Sequence, residues 1–416
     1  MRIWFACCLL FSGAAVADEL NLDYGGHFKG RYTFQSFPDN SIFNQLTGDT
    51  AHDAIGELRL SLKANKGPLR FDAAYQLFGF YGDQVEYSRD LPPSLLILSP
   101  RLPNDRRRLF DLTDVIEDDG KFAAVQRLDR LSVGYTGDKA VIRFGRQAIS
   151  WGNGLSFAPM DIVNPFDPST VDTEFKAGDD MLLGQYLFND GSDLQGAVVF
   201  RRNVVTGDVD KDSGTVALKY HGSAGNAEYD LLLAQNYADP MLGLGGNISV
   251  GGAVVRGDLV LTDTDSEGLV SMFVANYSYS WVMGGKNVSG GLEYFFNGFG
   301  QRNGNYDDLI DNTELLERLA RGELFTVGRN YLAGSLTIEM TPLWQLTPNA
   351  FVNLSDGSAL TQIVSNYSLR DNMILLGALN VPLGPSGTEY GGLPTGLPDN
   401  YLSYDLSAFV QLAWYF

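Results

Sequence analysis

Three histidines, His27, His52 and His221, are the first residues to test for catalysis. They lie far apart in the sequence, and none falls in a Ser/His/Asp, zinc or two-carboxylate constellation. The only cysteines, Cys7 and Cys8, stand close to the start. No enzyme activity, metal or cofactor is expected on these grounds. What remains is charge at alternating positions. Arg59, Arg70, Arg130, Arg143, Arg201 and Lys219 occur in phase with Lys63, Glu57 and Asp72. Farther along, Glu228, Asp230, Asp258, Glu293 and Glu339 occur in phase with Arg256. Basic and acidic rows on different arcs of one wall would set a transverse field across a lumen and select hydrophilic solutes. Arg146 joins the expected pore-lining set. The expected chemistry is selection rather than turnover.

A wall needs elements to carry it, and the last sixteen residues show which. Leu402, Tyr404, Leu406, Ala408, Val410, Leu412, Trp414 and Phe416 alternate with Ser403, Asp405, Ser407 and Gln411 among others. Period-2 alternation marks a strand with one apolar and one polar face. This one is long enough to cross a bilayer at a tilt, which takes about 9–11 residues. The terminal Phe416, in phase with the apolar face, is similar to the signal that outer-membrane barrels present to the β-barrel assembly machinery. At the other end Arg2, the apolar Ile3–Phe11 and Ala15-Val16-Ala17 fit a signal peptide over residues 1–17. Removing it takes both cysteines away. No later segment reads as a membrane helix, so a membrane-spanning chain must do so as a closed barrel.

Forty-seven glycines and 12% aromatic residues suit tight turns and interfacial girdles, and a net charge of −20 argues against nucleic acid. Residues 18–416 read as one all-β domain, a transmembrane antiparallel barrel. Seventeen alternating segments are plain, but an odd number would put the long segment 299–327 on the periplasmic side, where turns are short. A weak, glycine-rich strand over Pro240–Ile248 restores parity. The expectation is therefore about eighteen strands, with sixteen the alternative, long loops outside and short turns inside. Within 299–327, Asp311 and Glu314 fit a capping box, Leu315, Leu316 and Leu319 share a face, and Gly322 can end the helix. Residues 89–120 carry Pro92, Pro93, Pro103, then Arg106, Arg107 and Arg108, then Asp111, Asp114, Glu117, Asp118 and Asp119. They read either as a solvated, self-neutralising loop or as a loop entering the lumen.

The least generic stretch is Leu128–Asp180. Gly145-Arg146-Gln147, then Ser150-Trp151-Gly152-Asn153-Gly154, then Asn164-Pro165-Phe166-Asp167-Pro168 resemble a Gram-negative group of outer-membrane porin-like channels that includes the alginate export porin family. The resemblance covers roughly fifty residues and implies an eighteen-stranded channel. It carries no substrate. Trp151, Phe157, Met160, Ile162 and Phe166 are many apolar groups for an exposed loop. Segment 149–179 is thus expected either to fold inward as a constriction loop, with Trp151, Asn153, Phe157, Asp161, Asn164 and Phe166 as its candidate residues, or to pack on the wall.

The leading functional expectation is a passive channel for diffusion or export of hydrophilic solutes, anions and polysaccharides included, through a charged lumen. The competing class is a closed-lumen barrel binding lipid or organising the envelope. Expected partners are outer-membrane lipids, lipopolysaccharide and the assembly machinery.

Overall fold

The computed structural model describes residues 19–91 and 102–416. The leader expected at 1–17 and the prolines Pro92 and Pro93 lie outside the described residues. The first strands are β1 (Asn21–Ser36), β2 (Thr50–Lys66), β3 (Leu69–Gly82), β4 (Thr113–Asp119), β5 (Phe122–Thr136) and β6 (Ala140–Gln147). Next come β7 (Asp179–Leu187), β8 (Asp193–Val199), β9 (Thr215–Ala224), β10 (Ala227–Asn236), β11 (Asp239–Val250) and β12 (Ala253–Thr264). Then follow β13 (Gly268–Met283), β14 (Lys286–Asn297), β15 (Asn330–Thr341), β16 (Trp344–Asn353), β17 (Ala359–Arg370) and β18 (Met373–Leu383). A two-residue pair, β19 (Leu393–Pro394) and β20 (Tyr401–Leu402), precedes β21 (Leu406–Tyr415).

Neighbours pair antiparallel, and β21 closes onto β1. Strand β4 hangs on the upper part of β5, leaving eighteen strands in the closed ring. The strand expected over Pro240–Ile248 is present as β11. Among the described residues the long connections leave the strands at one end of the ring, and the other end has short turns. Two of those turns place consecutive glycines at positive φ, Gly251 and Gly252 (55° and 86°) and Gly284 and Gly285 (57° and 76°). That geometry matches the right-handed twist of the flanking strands.

Alternation sorts the two faces. On β21, Val410, Leu412 and Trp414 are exposed while Gln411 and Ala413 are buried; on β2, Leu60 and Leu62 are exposed while Arg59 is buried. The exposed apolar face surrounds the ring, as lipid contact requires. Among the described residues no helix is long and apolar enough to cross a membrane. Phe416 exchanges backbone hydrogen bonds with Gly26 (2.9 and 3.0 Å). A Cβ on Gly26 would fall 2.3 Å from the Arg59 carbonyl and 2.9 Å from the Phe416 ring, so that seam needs glycine. Phe416→Asp should therefore lower the yield of heat-modifiable, outer-membrane barrel. Wild-type yield would remove the terminal aromatic from the account of assembly.

Among the described residues three short α-helices sit outside the ring: α1 (Ile42–Thr47), α2 (Asp83–Asp90) and α3 (Thr313–Arg321). The helix expected over 311–321 is α3, capped by Asn312 rather than Asp311: the Asn312 side chain accepts from the Leu315 amide. Gly322 ends it in the left-handed region at φ 71°. In residues 102–120 the acidic end is strand β4, a departure from the loop reading.

Candidate functional site: the barrel interior

Segment 148–178 leaves β6 and turns into the barrel. Its contacts, taken in order, run round the inner wall. Trp151 Nε1 donates to Gln195 on β8 (2.9 Å), and the Asn153 side chain donates to Asp230 on β10 (3.1 Å) and Asp258 on β12 (2.8 Å). The amides of Leu155, Ser156 and Phe157 donate to Glu293 on β14 (2.6, 2.8 and 2.8 Å). Gln362 on β17 donates to the Ser169 carbonyl, and Gln411 on β21 donates to Asp172. Lys29 on β1 meets Asp172 and Glu174, both at 2.8 Å. Arg59 on β2 lies 4.2 Å from the Phe175 ring centre, and Arg130 on β5 donates to the Lys176 carbonyl. The segment thus completes a circuit and frames whatever space the lumen keeps.

Composition explains each half of the circuit. In the first, Trp151, Phe157, Met160, Ile162 and Val163 join one apolar cluster with Met181, Leu232, Val260, Val274 and Phe295 from the wall. Phe157 stacks on Phe295, with ring centres 4.7 Å apart. Gly154 permits the tight turn, since a Cβ there would fall 1.7 Å from the Phe157 carbonyl oxygen. Asn164, at φ 51°, donates to the Ala177 carbonyl, and Lys176 grips Asp161 (2.6 and 2.7 Å), tying the two limbs at their base. Phe166 is half-buried. The second half is polar and meets the basic wall.

That wall is concentrated on β1, β2, β3 and β5. Between Ala74 and Tyr75 the β3–β5 register skips a residue, and the extra one is Asp129. The bulge lets Arg127, Asp129 and Arg130 all face inward. Asp129 then sits 2.7 Å from Arg130, 2.9 Å from Arg59 and 3.6 Å from Arg127. Three guanidinium groups share one carboxylate. Above them Arg31 is half-exposed beside Phe409, with Thr33, Ile55, Phe78 and Phe80 on the same inward face. Asp172 lies 3.9 Å from Arg31, and Glu57 accepts from Gln76 and His27.

No family model and no curated protein sequence matches the chain. Solved structures do. A BenF-like porin from Pseudomonas fluorescens Pf-5 aligns over 95% of this chain and 98% of its own, at TM-score 0.53 and 10% identity. OccAB1 of Acinetobacter baumannii aligns over 95% and 96%, at TM-score 0.54 and 8% identity. The fold is that of an outer-membrane porin. Wzi of Escherichia coli, a carbohydrate-binding barrel involved in group 1 capsule assembly, aligns over 94% and 84%, at TM-score 0.52 and 9% identity. At such identities the likeness is one of fold.

In this porin fold the residues singled out by alternation have different surroundings. Arg143 is exposed on the inward phase of β6, and Glu228 is exposed on β10, accepting from Asn247 (2.7 Å). Arg70 turns back to the carbonyls of Gly67 and Leu69 at the periplasmic turn. Lys219 pairs with Asp230 (2.6 Å), and Arg201 pairs with Asp179 (2.9 Å), all four buried. Asp258 and Glu293 share the inward phase of their strands, yet they are 1% and 2% exposed because segment 148–178 covers them. Arg146 needs the plainest correction. It shares the outward phase of β6 with Ile142 and Phe144 and is buried between Asp105 and Asp180, away from the lumen. Sequence reading missed Lys29, Arg31, Arg127, Asp129, Asp172 and Phe175. Lys29 and Arg31 were legible from the β1 alternation, whereas Asp129 required knowledge of the bulge.

Outside the ring, Glu389 holds three outer loops together. Its carboxylate accepts from Tyr331 Oη (2.5 Å), Asn353 Nδ2 (2.7 Å) and the Val327 amide (3.0 Å), while its own amide donates to Asp356 (2.8 Å). Burial pushes this carboxyl from the ordinary 4.5 up to about 7, with Asp356 nearby acting in the same direction. A raised value favours the protonated form in the folded state. Its stabilising contribution is full below about 4.5 and is lost as pH rises through 7. Protease cleavage within 384–405 should therefore increase between pH 5 and pH 8, and Glu389→Gln should flatten that dependence. An unchanged slope in the variant would assign the titration to another group.

Proposed function

We propose that this protein is an outer-membrane channel for small hydrophilic solutes, with a preference for anions. The observation that carries the reading is the arrangement of Arg59, Arg127 and Arg130 around the single carboxylate of Asp129, with the half-exposed Arg31 above. Two positive charges in excess at one stretch of wall attract anions wherever water reaches it, and a low-dielectric wall strengthens the attraction. Farther down, the exposed Arg143 on β6 stands nine strands from Glu339 on β15 in an eighteen-strand ring, so the two face each other across the periplasmic half. Their opposition would orient dipolar solutes. Export and polysaccharide passage belong to this proposal as alternatives to inward diffusion.

A second reading has its own support. Outer-loop residues Tyr306, Leu309, Leu315, Leu319, Leu324, Val327 and Leu393 join the apolar cluster of segment 148–178. Such packing over the outer half favours a closed barrel that binds an envelope component. Proteoliposome flux separates the two. Faster entry of a small carboxylate than of a neutral sugar of equal size is expected for the channel. Exclusion of both would favour the closed barrel.

A further inference from the structure

The wall carboxylates Glu293 and Asp258 face a hydrated lumen only by alternation. In the folded chain they meet backbone amides instead. Both oxygens of Glu293 are engaged: Oε2 by the Leu155 amide at 2.6 Å and Asn276 Nδ2 at 3.1 Å, Oε1 by the amides of Ser156 and Phe157 at 2.8 Å each. Asp258 accepts the Asn153 amide at 2.7 Å and its side-chain nitrogen at 2.8 Å. Amides at 153, 155, 156 and 157 therefore converge on two wall carboxylates, one on β12 and one on β14, with β13 between them. Consecutive amides aimed at one point form an anion-binding concavity, and here the anion belongs to the wall.

We propose that Glu293 and Asp258 are positioning residues, which lock the limb 151–163 to the β12–β14 arc and so fix the cross-section left to solute. This rests on the channel reading. The two limbs are held differently. The first is held by buried charge-to-amide bonds and an apolar cluster. The second is held by wall side chains: Lys29 pairs with Asp172 and the one-third exposed Glu174, Gln411 donates to Asp172, and Gln362 and Arg130 donate to the Ser169 and Lys176 carbonyls. Charge-assisted hydrogen bonds to backbone amides are roughly twice as strong as neutral ones. Neutralising the acceptor keeps its volume but weakens all three amide contacts and turns one oxygen into a donor facing donors.

The test combines hydrogen exchange with single-channel recording on Glu293→Gln, in protein first shown to be heat-modifiable. Loss of exchange protection at residues 155–157, together with loss of the wild-type conductance level in favour of a noisier one, is the expected result. Should Glu293→Gln fail to assemble, Asp258→Asn, which weakens the hold on Asn153, carries the same test. Retained protection and a wild-type conductance level in the folded variant would overturn the proposal. A wild-type protein that never conducts, but loses protection at 155–157 on Glu293→Gln, would instead overturn the channel reading while leaving the positioning role standing.

Discussion

Replacing Arg146 with methionine will detach residues 105–112 from the wall and destabilise the barrel by about 3–5 kcal/mol, the range for removing one partner from a buried ion pair. The guanidinium is 1% exposed. It donates to Asp180 (2.9 and 3.0 Å), Asp105 (2.9 Å) and the Phe110 carbonyl (2.6 Å). Methionine fills a similar volume but leaves two buried carboxylates without their shared cation. Burial would raise the Asp105 carboxyl, yet Arg146 and Arg108 hold it below the usual carboxylate range. A lowered value adds stability above the ordinary carboxylate pKa, and that stability disappears as pH falls through the folded value. Wild type should thus lose part of its thermal stability at strongly acidic pH, and Arg146→Met should lose more at neutrality. Thermal unfolding followed by loss of heat-modifiable migration measures both. An Arg146→Met barrel as stable as wild type would contradict the role given to this cluster.

The second large effect concerns selectivity. Arg127→Gln combined with Arg130→Gln removes two of the three cations around Asp129 while leaving Arg59 to pair with that carboxylate at 2.9 Å. The wall then loses its positive excess, and the preference between ions should move toward cations. Screening sets the conditions. The effect should be clear at 0.1 M salt, where the Debye length is about 10 Å, and small at 1 M, where it is about 3 Å. Arg143→Gln should act in the same direction but more weakly, because its guanidinium is exposed to water at the periplasmic end. Unaltered selectivity in the double variant at low salt would mean that solute does not pass this arc.

Much of the architecture was legible because a barrel writes its geometry in period 2. Each ring strand alternates between lipid and interior, so apolar residues such as Leu58, Leu60 and Leu62 fix the phase of Glu57, Arg59 and Ser61. The topological constraint that both ends share one side exposed even the glycine-rich β11. Interior contacts were not legible for a different reason. Leu155 and Glu293 are 138 residues apart, and no local pattern pairs an amide with a distant carboxylate. Alternation alone therefore makes Glu293 and Asp258 solvent-facing, whereas an inserted segment covers them. The bulge at Asp129 is equally silent, since one extra residue looks like a break in a strand rather than a device that turns three charges inward. Arg146 failed for a related reason: in the outward phase its environment is decided by residues 105–112, which cover it.

Charge on β1, β2, β3 and β5 is the centre of the functional account, and the reversal potential of the purified wild-type protein in a planar bilayer tests it most directly. Under a salt gradient with a dilute side near 0.1 M, the account predicts stepwise conductance with anions permeating more readily than cations. The preference should fade as both sides approach 1 M, when the Debye length has contracted to about 3 Å. Cation preference, or a folded protein that inserts without conducting, would contradict it.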